Sequence, residues 1–404
     1  MSFQQGLAGL NAASKSLEVI GNNVANSGTF GAKSSRAEFA SVYAAAANGM
    51  TTGNIGIGVE ITGISQQFSQ GNITTTDNSM DVALNGAGFF EMLDPNGQTY
   101  YTRNGQFKVD RDGFIVNNQK QQLLGYSANA LGVIVPGPAA PIQLPTAGIA
   151  PKITDEASIE MNLDARDEIT APATPAIDYN DPTTYNNATS VTAYDAQGKE
   201  TALSFYFQKA GADAWNVYVT ADGAPIQIDS ADFATVTFPT SGGAPVTPAT
   251  APVLNTPAGD IAFDLSGVTQ YGSTFGVTSF TQNGYAPGQL TGISIESEGL
   301  VMARYSNGQS TSAGQVELAT FRNVQGLQPQ GGNAWASTFA SGDPVVGAPG
   351  QGNFGVLQSG ALEESNIDVT AELVNMITVQ RFYQANAQSI KTQDSVSQTL
   401  LNLR

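Results

Sequence analysis

Carboxylates are the residues best placed to do chemistry in this sequence. Glu363-Glu364, Asp110 with Asp112, and Glu296 with Glu298 are the pairs that would have to serve as the acid and base of a glycosidase. Each has a plainer reading. Asp110 and Asp112 are turn formers, Glu296 and Glu298 alternate on one strand face, and Glu363-Glu364 precede a helix. The usual partners are missing, since the 404 residues contain no His and no Cys. Serine-histidine-aspartate hydrolysis, imidazole zinc sites, thiolate metal sites and a disulfide framework are therefore excluded. Scattered Asp-Gly pairs lack the ligand spacing of a calcium loop. Gly86-Ala87-Gly88 lies between strands and opens no helix, so it is not a nucleotide loop. Trp215 and Trp335 read as core or interface anchors. The sequence predicts no enzyme, no cofactor and no metal.

Charge and proline show how the chain is organised. Lys and Arg number 16 against 34 Asp and Glu, a net charge of −18. That balance disfavours nucleic acid and anionic membranes as partners. Charged residues are only 12% of the chain, so Gly, Ala, Ser, Thr, Asn and Gln must dress much of the surface. Residues 145–284 hold 16 acidic and 4 basic side chains, and 14 of the 19 prolines fall between Pro136 and Pro257. The middle is acidic and helix-breaking, and the two ends are nearly neutral. The length points to two or three domains. No run approaches the ~18 apolar residues of a membrane span, so no membrane insertion is expected. The opening MSFQQGLAGLNAASK lacks the basic start and apolar run of a cleaved secretory signal.

Both ends read as helices. Phe3, Leu7, Leu10, Ala13, Leu17, Ile20 and Val24 recur at helical spacing, and Phe3, Leu10, Leu17 and Val24 repeat every seven residues. Asn22, Asn23, Asn26 and Gly28 close that segment. At the other end Val369, Leu373, Met376, Tyr383, Ala387, Ile390 and Leu401 follow a 3.5-residue spacing, with Asp368 and Glu372 near the positive end of the dipole and Arg404 at the other. Lengths of roughly 35 Å and 55 Å follow at the α-helical rise. One reading is a two-helix stalk closing a monomer. The other is a pair that buries its seams only against neighbouring copies. Asn23 and Asn26, with Asn375 and Asn386, are candidates to fix register through buried hydrogen bonds, or to serve as caps or solvated groups.

The interior reads as β. Asn85-Gly86, Asn96-Gly97, Asn104-Gly105, Asn283-Gly284 and Asn307-Gly308 favour tight hairpins. Tyr100–Arg103 is expected to pair with Gln106–Val109 around Asn104-Gly105, and Asp112-Gly113 to turn into Phe114-Ile115-Val116. Ser190–Tyr194, Leu203–Gln208 and Trp215–Thr220 form a second block, and 239–257 reads as a long loop.

Leu17-Glu18-Val19-Ile20-Gly21-Asn22-Asn23-Val24-Ala25-Asn26, followed by Thr29, Gly31 and Lys33, resembles the N-terminal signature of flagellar rod and hook proteins. Ser365-Asn366-Ile367-Asp368, Glu372–Ile377, Gln380-Arg381-Phe382-Tyr383 and the ending from Lys391 to Arg404 resemble their C-terminal signature. Asp81–Leu84, Gly88-Phe89-Phe90 and Tyr101-Thr102-Arg103-Asn104-Gly105 resemble the family's inner β domain. Ala32 departs from the pattern, which usually has an aromatic before the lysine. Gln282–Gly288, Gly352–Gly355, the length and the large insert point to the hook branch.

The resemblance implies a mostly β fold with two β-rich domains and long N- and C-terminal α-helices pairing as a coiled coil. It implies an inner domain from 1–28 with 366–404, a linker at 29–70 that includes the Ala- and Gly-rich 41–58 stretch, and a middle domain from 71–145 with 285–360. An outer domain at 146–284 and a short linker at 361–365 complete it. It implies a helical homopolymer, a hollow bending tube that transmits torque between rod and filament. The implied partners are further copies, the distal rod protein, the hook–filament junction protein, the hook cap protein and the flagellar type III export apparatus. The implied place is the extracellular hook, reached without a cleaved signal. Assembly would rest on Phe3, Leu7, Leu10, Leu17, Ile20, Asn23, Val24 and Asn26, with Leu373, Met376, Tyr383, Ala387 and Ile390. Two alternatives stand beside it. A distal rod protein would lack most of 146–284, and a secreted β-rich adhesin would not need apolar seams at both ends.

Overall fold

The computed structural model describes residues 2–42, 58–129, 132–145, 148–171 and 177–402. The middle of the Ala- and Gly-rich 41–58 stretch and the expected helix-end Arg404 lie outside the described residues. The chain divides into two compact units, one from 1–146, 292–304 and 310–404, the other from 147–291 and 305–309.

The first unit carries both helices, α1 over Ser2–Asn26 and α2 over Val369–Asn402. Their lengths are about 37 Å and 51 Å at the helical rise. Asp368 caps α2, its Oδ1 accepting the Thr370 and Ala371 N–H groups at 2.9 and 3.1 Å, with Glu372 in the first turn. At the end of α1, hydroxyls take up orphan carbonyls: Ser27 Oγ donates to Val24 O and Thr29 Oγ1 to Asn26 O, both at 2.8 Å. Among the described residues, no helix is long and apolar enough to cross a membrane.

Beyond α1, the stretch read as a linker contains an antiparallel ribbon, Ser35–Val42 paired with Gly58–Gln66. The β body of this unit follows. Phe89–Leu93 and Thr99–Thr102 form a hairpin closed at Asn96-Gly97, where Gly97 takes φ +82°. Phe89–Leu93 also pairs with Gln122–Ser127 and Leu318–Thr320. The main core joins Leu84, Phe90, Met92, Phe107, Ile115, Leu123, Ile142 and Leu318. A smaller aromatic cluster joins Phe89, Tyr101, Phe321 and Trp335, with Phe68 against it.

The Asn104-Gly105 hairpin is not formed. Thr99–Thr102 pairs with Phe89–Leu93 and Ala334–Ala336, while Lys108–Val109 turns at Asp112-Gly113 onto Ile115–Val116. Gly105 is needed there for lack of a Cβ, because a methyl at that position would overlap the Val82 carbonyl. Gly284 is used the same way against Thr154. Asn307-Gly308 does close a turn, with Tyr305 N donating to Gln309 O at 2.9 Å.

The second unit holds a nine-stranded sheet. Asn187–Tyr194, Glu200–Gly211 and Ala214–Ala221 run as consecutive antiparallel strands, and Glu156–Asp164 lies parallel to Gly259–Tyr271. Gly259–Tyr271 shows the period of a half-buried strand, with Ile261, Phe263 and Leu265 inward. These side chains pack with Phe205, Phe207, Trp215 and Leu254, and the Phe205 and Phe263 rings stack at 4.6 Å. The long loop expected at 239–257 ends in a short strand, Val253–Thr256.

Candidate assembly surface on the terminal helices

The helices run antiparallel, with Gly6 opposite Ile390 and Asn23 opposite Glu372. The face of α1 turned inward is Gly6, Ala13, Ile20 and Asn23, with Gly9 and Ser16 between them. These positions repeat at three and four residues, but they are mostly small. A Cβ on Gly6 would stand 3.0 Å from Ile390 Cγ1, and one on Gly9 would stand 2.7 Å from Asn386 Oδ1. Small side chains let the two backbones approach, so the pairing within one chain uses little of the large apolar surface.

That surface is only partly covered. Phe3 is 50% exposed and Leu7 45%. Leu10, Leu17 and Val24 are half-buried. On α2, Leu373 is 45% exposed and Tyr383 38%, and Val374, Ile377 and Phe382 are exposed too. Met376, Ala387 and Ile390 are half-buried. In the Phe3-Leu10-Leu17-Val24 heptad, Phe3 is exposed and the other three are half-buried, so none is fully covered within the chain. Of the large N-terminal side chains, Val19 and Ile20 are buried within the chain.

Asn23 and Asn26 part company. Asn23 is buried, and its amide bridges three elements: Nδ2 donates to Ser35 O and Glu372 Oε1 at 2.8 Å, and Oδ1 accepts the Ser35 N–H at 2.9 Å. Asn26 turns back on its own helix, Nδ2 donating to Asn22 O at 2.9 Å. Asn386 lies on the inward side of α2, and Asn375 is exposed.

A buried charged hub ties the helices to the β body, and sequence reading did not find it. Glu363 accepts from Lys33 Nζ at 2.5 Å, Arg103 Nη1 at 3.1 Å and the Gly71 N–H at 2.9 Å. Lys33 also donates to Ser69 O, and Arg103 to Gly86 O. The Lys33 and Glu363 side chains are fully buried, and burial holds the Lys33 ammonium below its ordinary pKa despite the carboxylate beside it. Asn366 adds to the tie, accepting the Ser34 N–H and donating to Gln67 O. Lys33 and Arg103 stand in the sequence signatures, but their common partner is 330 residues from the first and 260 from the second.

Four family descriptions match in order along the chain. Flagella basal body rod protein covers residues 3–33, and the flagellar hook protein FlgE/F/G D1 domain covers 83–164. The flagellar basal body protein FlaE D2 domain covers 162–285, and the flagellar basal body rod FlgEFG protein C-terminal region covers 358–403. Together they define a structural protein of the flagellar rod-and-hook class. The flagellar hook proteins FlgE of Salmonella typhimurium and Escherichia coli K12 are each 41% identical over 413 residues, covering 100% of both chains. That of Rhizobium meliloti is 32% identical over 100% of this chain and 98% of its own. The chain belongs to the flagellar hook protein family and is a structural subunit, not an enzyme. In fold it is similar to the crystal structure of Helicobacter pylori flagellar hook protein FlgE2, with a TM-score of 0.54, 14% identity, and coverage of 72% of this chain and 100% of that one.

Proposed function

We propose that the two terminal helices pair as an antiparallel coiled coil and bury their remaining apolar faces against neighbouring copies in a helical, hollow homopolymer. The observation that carries this reading is the division of α1 into a small-residue stripe facing α2 and a large-residue stripe left partly open. Phe3, Leu7, Leu10, Leu17, Val24, Leu373, Met376, Tyr383, Ala387 and Ile390 then serve assembly, and Ile20 and Asn23 hold the pair in register. Burying half-exposed side chains of this size contributes roughly 1 kcal/mol each. Several per copy suffice to hold a polymer whose contacts repeat along its length.

In this reading residues 1–28 with 366–404 line the tube, 29–70 connects, 71–145 with 285–360 forms the middle domain, and 146–284 lies outermost. The tube transmits torque while bending, as a universal joint does. Near-neutral helices bury seams without stranding charge. The 16 acidic and 4 basic residues of 145–284 keep outer contacts shallow, so that several spacings are close in energy. The distal rod protein, the hook cap protein and the hook–filament junction protein meet the tube at its ends. The subunit leaves through the flagellar type III export apparatus without a cleaved signal.

Electron microscopy of the full chain under salting-out conditions tests the reading, since excluded salts strengthen apolar burial. The unmodified chain is expected to form tubes. The Leu7→Asp/Leu373→Asp variant, altered only at exposed positions, is expected to fold and stay unassembled. Tubes from that variant at the same protein concentration would sink the reading.

A further inference from the structure

The first unit presents an aromatic knob. Phe339 is 105% exposed, the most exposed large apolar side chain of the described residues. It does not sit on a loose loop. Thr338 Oγ1 donates to Gly326 O at 2.6 Å, and Ser341 Oγ donates to Thr338 O at 2.8 Å. Asn323 Nδ2 donates to Ala340 O at 2.9 Å. Ser341 is itself buried, so the residues on either side of the ring are fixed to the body. Holding a fully solvated phenyl group on a braced turn gives nothing to the single chain's own core. It pre-pays the ordering cost of a contact with something else.

The same unit presents a recess of about 400 Å³. Phe68, Phe89, Phe321 and Val324 give it aromatic and apolar walls, Gln70, Arg103 and Thr320 supply a polar part of the lining, and Gly86 and Gly88 add no side chain of their own. This is the Gly86-Ala87-Gly88 segment that is no nucleotide loop. Its size falls at the low end of sites that enclose a small ligand, which suits one aromatic side chain.

The charges beside knob and recess are opposite. Asp343 follows the knob on the same loop, and Arg322 lies between the lining residues Phe321 and Val324. Both are exposed, and neither makes an ion pair among the described residues. An arginine here is notable in a chain of 16 basic residues.

We propose that Phe339 of one copy inserts into the Phe68–Phe89–Phe321 recess of a second copy, with Asp343 facing Arg322 across the contact. The Asn323 Nδ2–Ala340 O and Thr338 Oγ1–Gly326 O bonds set knob and recess on adjoining loops of one chain, so each copy offers both a ring to insert and a recess to receive one. The insertion adds a specific contact in the β body to the one proposed for the helices, and it rests on the homopolymer reading.

Two measurements on the full chain test it. Phe339→Ala removes an exposed ring and leaves the fold alone. It is expected to raise the protein concentration at which tubes appear by about tenfold, the loss typical of a central aromatic contact. The native chain has no cysteine, so Asp343→Cys and Arg322→Cys chains can be mixed and oxidised after assembly. A 343–322 heterodisulfide in excess of both homodisulfides supports the contact. Tubes that form from Phe339→Ala at an unchanged concentration, with no such excess, overturn it and leave helix-driven assembly standing. If the unmodified chain forms no tubes, the homopolymer reading falls and this contact falls with it.

Discussion

Replacing Glu363 by alanine is expected to destabilise the first unit by about 3–5 kcal/mol, the cost of removing one partner from a buried ion pair. Among the described residues, the carboxylate is the only ion-pair partner of two cations taken out of water. Lys33 Nζ and Arg103 Nη1 both donate to it, and the three side chains are 0%, 6% and 0% exposed in the order Lys33, Arg103, Glu363. Arg103 cannot shed its proton at accessible pH, and its Nε already lacks an acceptor among the described residues. Lys33 can, and burial already pulls its pKa down. Removing the carboxylate takes away what holds the Lys33 pKa up, so the variant is expected to lower it further. Glu363→Gln keeps the shape and part of the hydrogen bonding, and should fall between the two. Urea unfolding of the full chain followed by a probe in the first unit reads the loss. A change below about 1 kcal/mol would show a surface-like pair instead. The functional weight of this site is positional. It joins the segment after α1, the Gly71 N–H, Arg103 and the strand Ala361–Glu363 that leads to the α2 cap.

The second large effect is a dependence on pH. Glu91 and Glu317 stand opposite each other in neighbouring antiparallel strands, next to the Phe90–Leu318 pair. Both are buried, and Glu91 Oε2 has no hydrogen-bond partner among the described residues. Burial, and then the Glu317 charge, push the Glu91 carboxyl up from 4.5 to about 7. Burial raises Glu317 too, against the hydrogen bond it accepts from Tyr126 Oη at 2.7 Å. Between those two values the folded chain keeps a proton that the unfolded chain gives up. The stability linked to Glu91 is thus fully present below about pH 4.5 and is lost as pH rises through about 7, a fall of about 3 kcal/mol. Glu91→Gln is expected to flatten that slope. A first unit equally stable at pH 5 and pH 8 would contradict the paired-carboxyl geometry.

The helices were legible because periodicity and capping chemistry are local. Asp368 and the Asn22–Gly28 cluster mark real helix ends. Which face meets which was not legible. Hydrophobicity favours the Phe3-Leu10-Leu17-Val24 stripe, whereas the close approach within the chain is at Gly6 and Gly9, with Ala13 of the periodic set buried beyond them. A propensity scale reads those glycines only as weak helix formers. The β turns were half legible for a related reason. Asn-Gly marks a place where a side chain is unwelcome, and it does not say whether the cause is a positive φ, as at Gly97, or a neighbouring carbonyl, as at Gly105. The Lys33–Glu363–Arg103 hub was hidden by distance along the chain. Each member had a sufficient local reading, and nothing in one sequence couples charges hundreds of residues apart. The ribbon of 35–42 with 58–66 was hidden because its large apolar residues, Phe39, Ile61 and Ile64 among them, are exposed and scattered among Gly, Ala, Ser and charged residues.

The central claim is that the large apolar stripe of α1 is partly open in the single chain and covered in the polymer. A chain without native cysteine allows a direct reading. Leu7→Cys and Ala13→Cys chains are labelled with a maleimide before and after tube assembly. Leu7→Cys should react fast in the unassembled chain and steeply slower in tubes, while Ala13→Cys, 6% exposed at the native residue, should react slowly in both. A Leu7→Cys thiol that reacts equally fast in monomer and tube would contradict the account.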